Sequence, residues 1–93
     1  MVDSLQELFV NVKSAKILVT LNNQSVENYA SEISTHVDST YSHTVRILHK
    51  LEDQGLVESR KQGRKKIVEL TSEGEKIAED LGELMHTLQE VAR

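Results

Sequence analysis

The sequence predicts a mainly α-helical domain carrying one small β-ribbon (α+β), and three features of it point there. Apolar residues recur three and four apart through most of the chain, the period of an amphipathic helix. Over 56–59 and 65–70 that rhythm gives way to alternation, the period of a strand. Between those two runs sits Gln62-Gly63, a turn pair inside a dense cluster of cations.

The chain of 93 residues reads as a single domain over 1–93, near the lower size at which a core stabilises itself, so a partner subunit is expected. Aromatic residues are few, Phe9, Tyr29 and Tyr41, which disfavours stacking platforms for single-stranded nucleic acid. Cysteine is absent, which excludes disulfides and thiolate metal sites. Met1-Val2-Asp3-Ser4 is not followed by a secretory pattern, and no window approaches the roughly 18 apolar residues of a membrane span. A soluble, cytoplasmic protein without a membrane partner is therefore expected. The formal net charge is -4, yet from Ser39 to Lys66 seven Lys/Arg face three acids, a local +4 that leaves -8 elsewhere. One surface should be basic and the remainder acidic.

Ser4 with Glu7 matches a capping box, and Leu5, Leu8, Phe9 and Val12 follow at helical spacing. This first helix either breaks near Ser14 or continues through Ala15, Ile17, Leu18 and Leu21 to Asn22-Asn23. Gln24-Ser25-Val26 is either a very short strand, or Ser25 caps the next helix. A second helix is expected over about 27–36, with Tyr29, Ala30, Ile33 and Val37 inward. Asp38-Ser39-Thr40 favours a turn and cap. A third helix should run from Tyr41 to Gln54, stopped by Gly55, burying Thr44, Ile47, Leu48 and Leu51 and leaving Ser42, His43, Arg46, His49 and Lys50 on its polar side. The ribbon follows over about 56–70, with Val57, Ile67 and Leu70 inward. A last helix over about 72–92, capped by Ser72 with Glu75, carries Ile77, Leu81, Leu84, Leu88 and Val91 at spacings of 4, 3, 4 and 3, the rhythm of a helix–helix seam.

Two short helices joined by a turn, then a basic, glycine-centred hairpin, resemble the winged helix-turn-helix of the MarR-type transcriptional regulators. The helix-turn-helix falls at about 27–54, the wing at about 56–70 and a dimerisation helix at about 72–92. Thr40, Arg46, Ile47, Leu51, Gly55 and Leu56 match the family pattern as they stand, and Leu70-Thr71-Ser72-Glu73-Gly74 resembles its strand-to-helix junction. Ser39, Thr44 and Val45 depart from it: an apolar turn residue, a buried Val and a small polar residue are usual there. Either the recognition helix is rotated slightly or Val45 presents its methyls to the groove. Compared with the family, the chain resembles a trimmed version.

The resemblance implies a sequence-specific regulator of double-stranded DNA, a homodimer acting as a repressor. Its recognition helix would supply Thr40, Tyr41, Ser42, His43, Val45, Arg46 and Lys50. Arg46 would make either a bidentate guanine contact or a phosphate contact, Ser42 and His43 would sit in the first turn, and Thr40, Tyr41 and Lys50 would reach phosphate. The wing would supply Arg60, Lys61, Arg64, Lys65 and Lys66, with an arginine beside Gly63 suited to a narrow minor groove. The dimer would be held by Leu5, Leu8, Phe9, Ile77, Leu81, Leu84, Leu88 and Val91. The alternative is a winged-helix protein-interaction module in a transcription or replication assembly, its basic wing merely solvated. His36, His43, His49 and His86 lack metal-ligand spacing, and neither a cofactor nor an enzyme is expected. The sequence identifies no effector.

Overall fold

The structure, a computed structural model, describes residues 12–23 and 26–92. Its elements are α1 (Val12–Leu21), α2 (Ala30–His36), α3 (Tyr41–Asp53), β1 (Val57–Gln62), β2 (Lys65–Leu70) and α4 (Ser72–Val91). The expected capping box at Ser4 and the residues Leu5, Leu8 and Phe9 lie outside the described residues, as do Gln24 and Ser25. α1 passes through Ser14 without a break and turns at Asn22.

The core is built where α1 packs against α4 and α2, and where α2 and the hairpin close over α3. Ile17, Leu18, Ile33, Leu48, Leu51, Val57 and Val68 are its largest fully buried apolar side chains. Helical spacing explains the α3 contribution, since Thr44, Ile47, Leu48 and Leu51 form one stripe and all four are buried.

Two helix ends are closed by the same hydrogen-bonding device. At the end of α2, Asp38 N–H donates to Thr35 O and Ser39 N–H to Ser34 O. At the end of α3, Gly55 N–H donates to Glu52 O and Leu56 N–H to Leu51 O. Both are Schellman motifs, which need a left-handed residue just beyond the cap. Gly55 (φ 78) supplies it without strain, whereas at the helix-turn-helix corner Asp38 (φ 57) does so as one of the few other residue types that tolerate this conformation. From α1, the Lys13 ammonium donates to the carbonyls of Val37 (3.1 Å) and Asp38 (2.7 Å), placing a cation at the negative end of α2 and tying the corner down.

Four expectations are corrected. The second helix begins at Ala30 rather than near Glu27, because Asn28 O accepts from Val68 N–H and Tyr29 bridges to Ile67 of β2. Among the described residues the short pairing segment is thus Tyr29 rather than Val26. The cap of α4 is Thr71, whose Oγ1 accepts from Gly74 N–H (3.1 Å), one residue before the expected Ser72. Thr71 N–H donates to Leu56 O and its hydroxyl to Gly55 O, so this junction is fastened to the end of α3. The wing tip is Gly63-Arg64 rather than Gln62-Gly63: Gln62 pairs with Lys65, and Gly63 (φ 64) opens the two-residue loop in the conformation of a type II′ turn. Finally, Val57 and Ile67 point to opposite faces. The register pairs Val57 with Leu70 and Ser59 with Val68, so Val68 shares the core face, and Ile67 is buried on the other side beside its bridge partner Tyr29.

Thr44 is wholly buried, and its Oγ1 has no hydrogen-bond partner among the described residues. An unsatisfied buried hydroxyl costs on the order of 1–3 kcal/mol. Thr44→Val keeps the shape and removes the polar atom, so it should raise stability by about 1 kcal/mol in urea denaturation. A loss of stability would mean that the hydroxyl has a partner in solution.

Candidate nucleic-acid interface

Opposite the buried stripe of α3 runs a solvent-facing one made of Ser42, Arg46, His49 and Asp53, with Lys50 beside it. All five are exposed. Thr40 caps the helix by accepting from His43 N–H (3.1 Å), and Tyr41 stands 51% exposed at the entrance. Two of the expected reading residues are less available. His43 is half-buried, and Val45 is half-buried and packs against the edge of the core. Val45 therefore follows the flank of the helix rather than its outward stripe. From Thr40 to Leu51 the helix carries cations and no acid; Glu52 and Asp53 come only at its far end.

Cross-strand partners share a face, so the register sorts the wing cations. Lys61 and Lys66 stand directly opposite each other on the face that carries Val57, Ser59 and Val68 and turns toward α3. Arg60 and Lys65 lie on the other face, and Arg64 is at the tip. Two side-chain bridges join the hairpin to α3. Ser59 Oγ donates to Glu52 Oε1 (3.1 Å), and Lys66 Nζ lies 3.1 Å from His49 Nε2. The outer face has its own partners: Arg60 pairs with Glu69 at 3.7 Å, and the Lys65 ammonium sits 4.2 Å from the centroid of the Tyr29 ring, a cation–π contact. Glu58 and Glu69 are also directly opposed, and the Arg60 pair relieves that repulsion. Lys61 and Arg64 are the two wing cations without a bond of these kinds among the described residues.

The sequence-predicted cations of helix and wing thus come together on one unit, although the five wing cations point in three directions. His49 was read only as one of the polar residues of α3, yet it makes one of the two side-chain bridges between helix and wing. Its three-residue spacing from Arg46 on a helix was the available signal. Tyr29, read from sequence only as an inward helical residue, and Lys13, unassigned, act through contacts 36 and about 24 residues away, for which no local signal exists.

The expected dimer seam divides. Leu81 is buried (8% exposed) in the core of its own chain and Ile77 is half-buried against it, so both are engaged within their own chain. Leu84, Leu88 and Val91 are 53, 57 and 77% exposed. The a/d rhythm continues unchanged while the neighbour changes, because the start of α4 lies over the core and its end extends past it. No helix of the described residues is long and apolar enough to cross a membrane, and none of their His, Asp and Glu side chains gather into a group of three able to hold a metal ion.

A helix-turn-helix corner followed by an antiparallel two-stranded hairpin, with helices on either side, defines a winged-helix domain. The chain belongs to the family described as the DUF6293 C-terminal winged helix domain, whose pattern matches residues 4–82. It is 30% identical over 92 residues to an uncharacterized protein of Archaeoglobus fulgidus, covering 96% of this chain and 97% of that protein. The crystal structure of AF1382 from Archaeoglobus fulgidus is similar at 32% identity and a TM-score of 0.76, over 82% of this chain and 87% of that one. A MarR-family transcriptional regulator from Rhodococcus sp. RHA1 shares the fold at 23% identity and a TM-score of 0.72, over 86% of this chain and 58% of that one. So does Staphylococcus aureus MepR in its complex with DNA, at 17% identity and a TM-score of 0.71, over 97% and 76%. The resemblance to MarR-type winged helices read from the sequence is thus a resemblance of fold, and the family is that of DUF6293.

Proposed function

We propose that the protein is a sequence-specific transcriptional regulator that binds double-stranded DNA as a homodimer and represses by occluding a promoter. The observation that carries this reading is the Lys61–Lys66 pair, two like charges held directly opposite each other on the wing face turned toward α3. Such a pair is destabilising in the isolated protein, and a phosphate backbone lying across it turns the repulsion into attraction. Arg46 and Lys50 on α3 and Arg64 at the wing tip are all exposed, and no acid lies between Thr40 and Leu51. MepR, which has the same fold, has been crystallised with DNA, which adds support.

On this reading α3 enters the major groove, where Ser42 and Arg46 reach base edges, and Thr40, Tyr41 and Lys50 contact phosphate. His43 and Val45, half-buried, contribute at the margin of the groove. Arg64 at the tip addresses the minor groove and Lys61 and Lys66 the backbone, while Arg60 and Lys65 add to the field from their own bonded positions.

Duplex binding measured against salt tests the proposal. Arg46→Ala should cost about 1–3 kcal/mol on the preferred site and relax preference at one base position. Replacing Lys61 and Arg64 by Ala should weaken binding to all duplexes alike and flatten the salt slope by about 0.9 per lost phosphate contact. Binding by the wild type that is absent, or indifferent to salt, would leave the protein-interaction module as the reading instead.

A further inference from the structure

We propose that His49 is a positioning residue for the wing, holding Lys66 toward the recognition helix, and that duplex binding takes up a proton at its imidazole. The inference rests on the DNA-binding reading of this same surface and adds to it a linkage between that binding and pH.

The chemistry of the contact sets the proton positions. A lysine ammonium has three donors and no acceptor, so the His49 Nε2 atom 3.1 Å from Lys66 Nζ must offer its lone pair. Accepting at Nε2 goes with the tautomer that carries its proton on Nδ1. Protonation at Nε2 removes the acceptor and sets two cations side by side. Lys66 is then driven off His49, back toward Lys61, its cross-strand neighbour of the same charge.

The other charges around His49 do not relieve this. On α3 itself, Arg46 and Lys50 share the exposed side, Glu52 is engaged by Ser59 Oγ, and Asp53 lies one turn further on. From the hairpin, Lys66 and Lys61 face it. α2 packs against the opposite, buried side of α3 and brings Glu32 and His36. In the isolated protein, then, Lys66 lies against the Nε2 lone pair, with Arg46 and Lys50 on the same exposed side of the helix. A phosphate oxygen accepts from both Nε2–H and Nζ, so on the duplex the imidazolium gains a partner and Lys66 is handed from His49 to the backbone. Histidine is the side chain whose charge changes within the physiological range, which makes the exchange usable as a control of affinity.

The test has two arms. In the first, affinity for the preferred duplex is measured from pH 6 to pH 8 at fixed ionic strength. Wild-type affinity should rise as pH falls, by up to the tenfold per pH unit that uptake of one proton allows. His49→Gln retains an acceptor for Lys66 but cannot titrate, and should flatten the profile; His86→Gln, on the far helix, should leave it as in the wild type. Equal profiles for the wild type and His49→Gln would overturn the proposal. The second arm needs no DNA. Nitrogen-15 NMR of the free protein should find the neutral His49 ring with its proton on Nδ1, moving toward Nε2 in Lys66→Met; a tautomer indifferent to that change would equally overturn it. Wild-type protein that binds no duplex at any pH would defeat the DNA reading itself, and with it the proton linkage, whatever the tautomer arm finds for the contact.

Discussion

Gly74→Ala is expected to destabilise the protein by about 3 kcal/mol, the upper range for forcing extra atoms into a packed interior. Gly74 is buried in the first turn of α4, where an added Cβ would overlap the backbone carbonyl of Leu56 and come within 3.2 Å of Leu70 Cδ2. That carbonyl cannot retreat cheaply, because it accepts from Thr71 N–H (3.0 Å), and Thr71 in turn caps α4 through Gly74 N–H. Helix propensity alone would favour alanine over glycine by about 0.8–1 kcal/mol, so the overlap decides the sign. Gly82 provides the comparison: it lies in the same helix, and a Cβ there meets nothing within 4 Å. Gly82→Ala should therefore gain about 0.5–1 kcal/mol. Urea midpoints read by circular dichroism check both, and a shift of the two variants in the same direction would refute the account of the junction.

Replacing Leu84 and Leu88 by glutamate should abolish tight operator binding while leaving the fold intact. Both side chains are more than half exposed, so charging them costs the monomer little, in contrast to Leu81, whose replacement would place a charge in the core. If the exposed end of α4 forms the twofold interface, the double variant is monomeric and reaches only one half-site. On the proposed function, the two copies of α3 in such a dimer should address half-sites about 10–10.5 bp apart, in a near-palindrome. Sedimentation combined with footprinting measures this. A wild type that is monomeric at micromolar concentration with an asymmetric footprint would remove the dimer and leave the winged helix standing.

The parts of this protein that were legible in its sequence are those governed by local rules. The stripe Thr44, Ile47, Leu48 and Leu51 followed from helical period, and the stop at Gly55 from its freedom to take a positive φ. The cap of α3 at Thr40 followed from the competition of its hydroxyl with the backbone. The concentration of cations between Ser39 and Lys66 was likewise plain, and so was the order of helix, corner, helix and hairpin.

What required the tertiary structure was everything set by a distant partner. Tyr29 was read as helical, yet β2 captures the backbone at Asn28 and Tyr29, and a hydrogen-bonded neighbour outweighs the small preference of the local sequence. Ile67 and Val68 are both apolar, and only the register with β1 decides which one faces the core. The seam of α4 is uniform in sequence, but Leu81 lies over the core and Leu84 beyond it, a difference of position that periodicity does not encode. The same holds for the candidate interface. Seven cations could be counted from the chain, but that Lys61 opposes Lys66, that Lys65 rests on Tyr29 and that His49 meets Lys66 are consequences of hairpin register and helix docking. Sequence by itself determined the local conformations and the sign of the surface; packing determined which charges face one another, because contacts between residues far apart in the chain form only once the core has placed them.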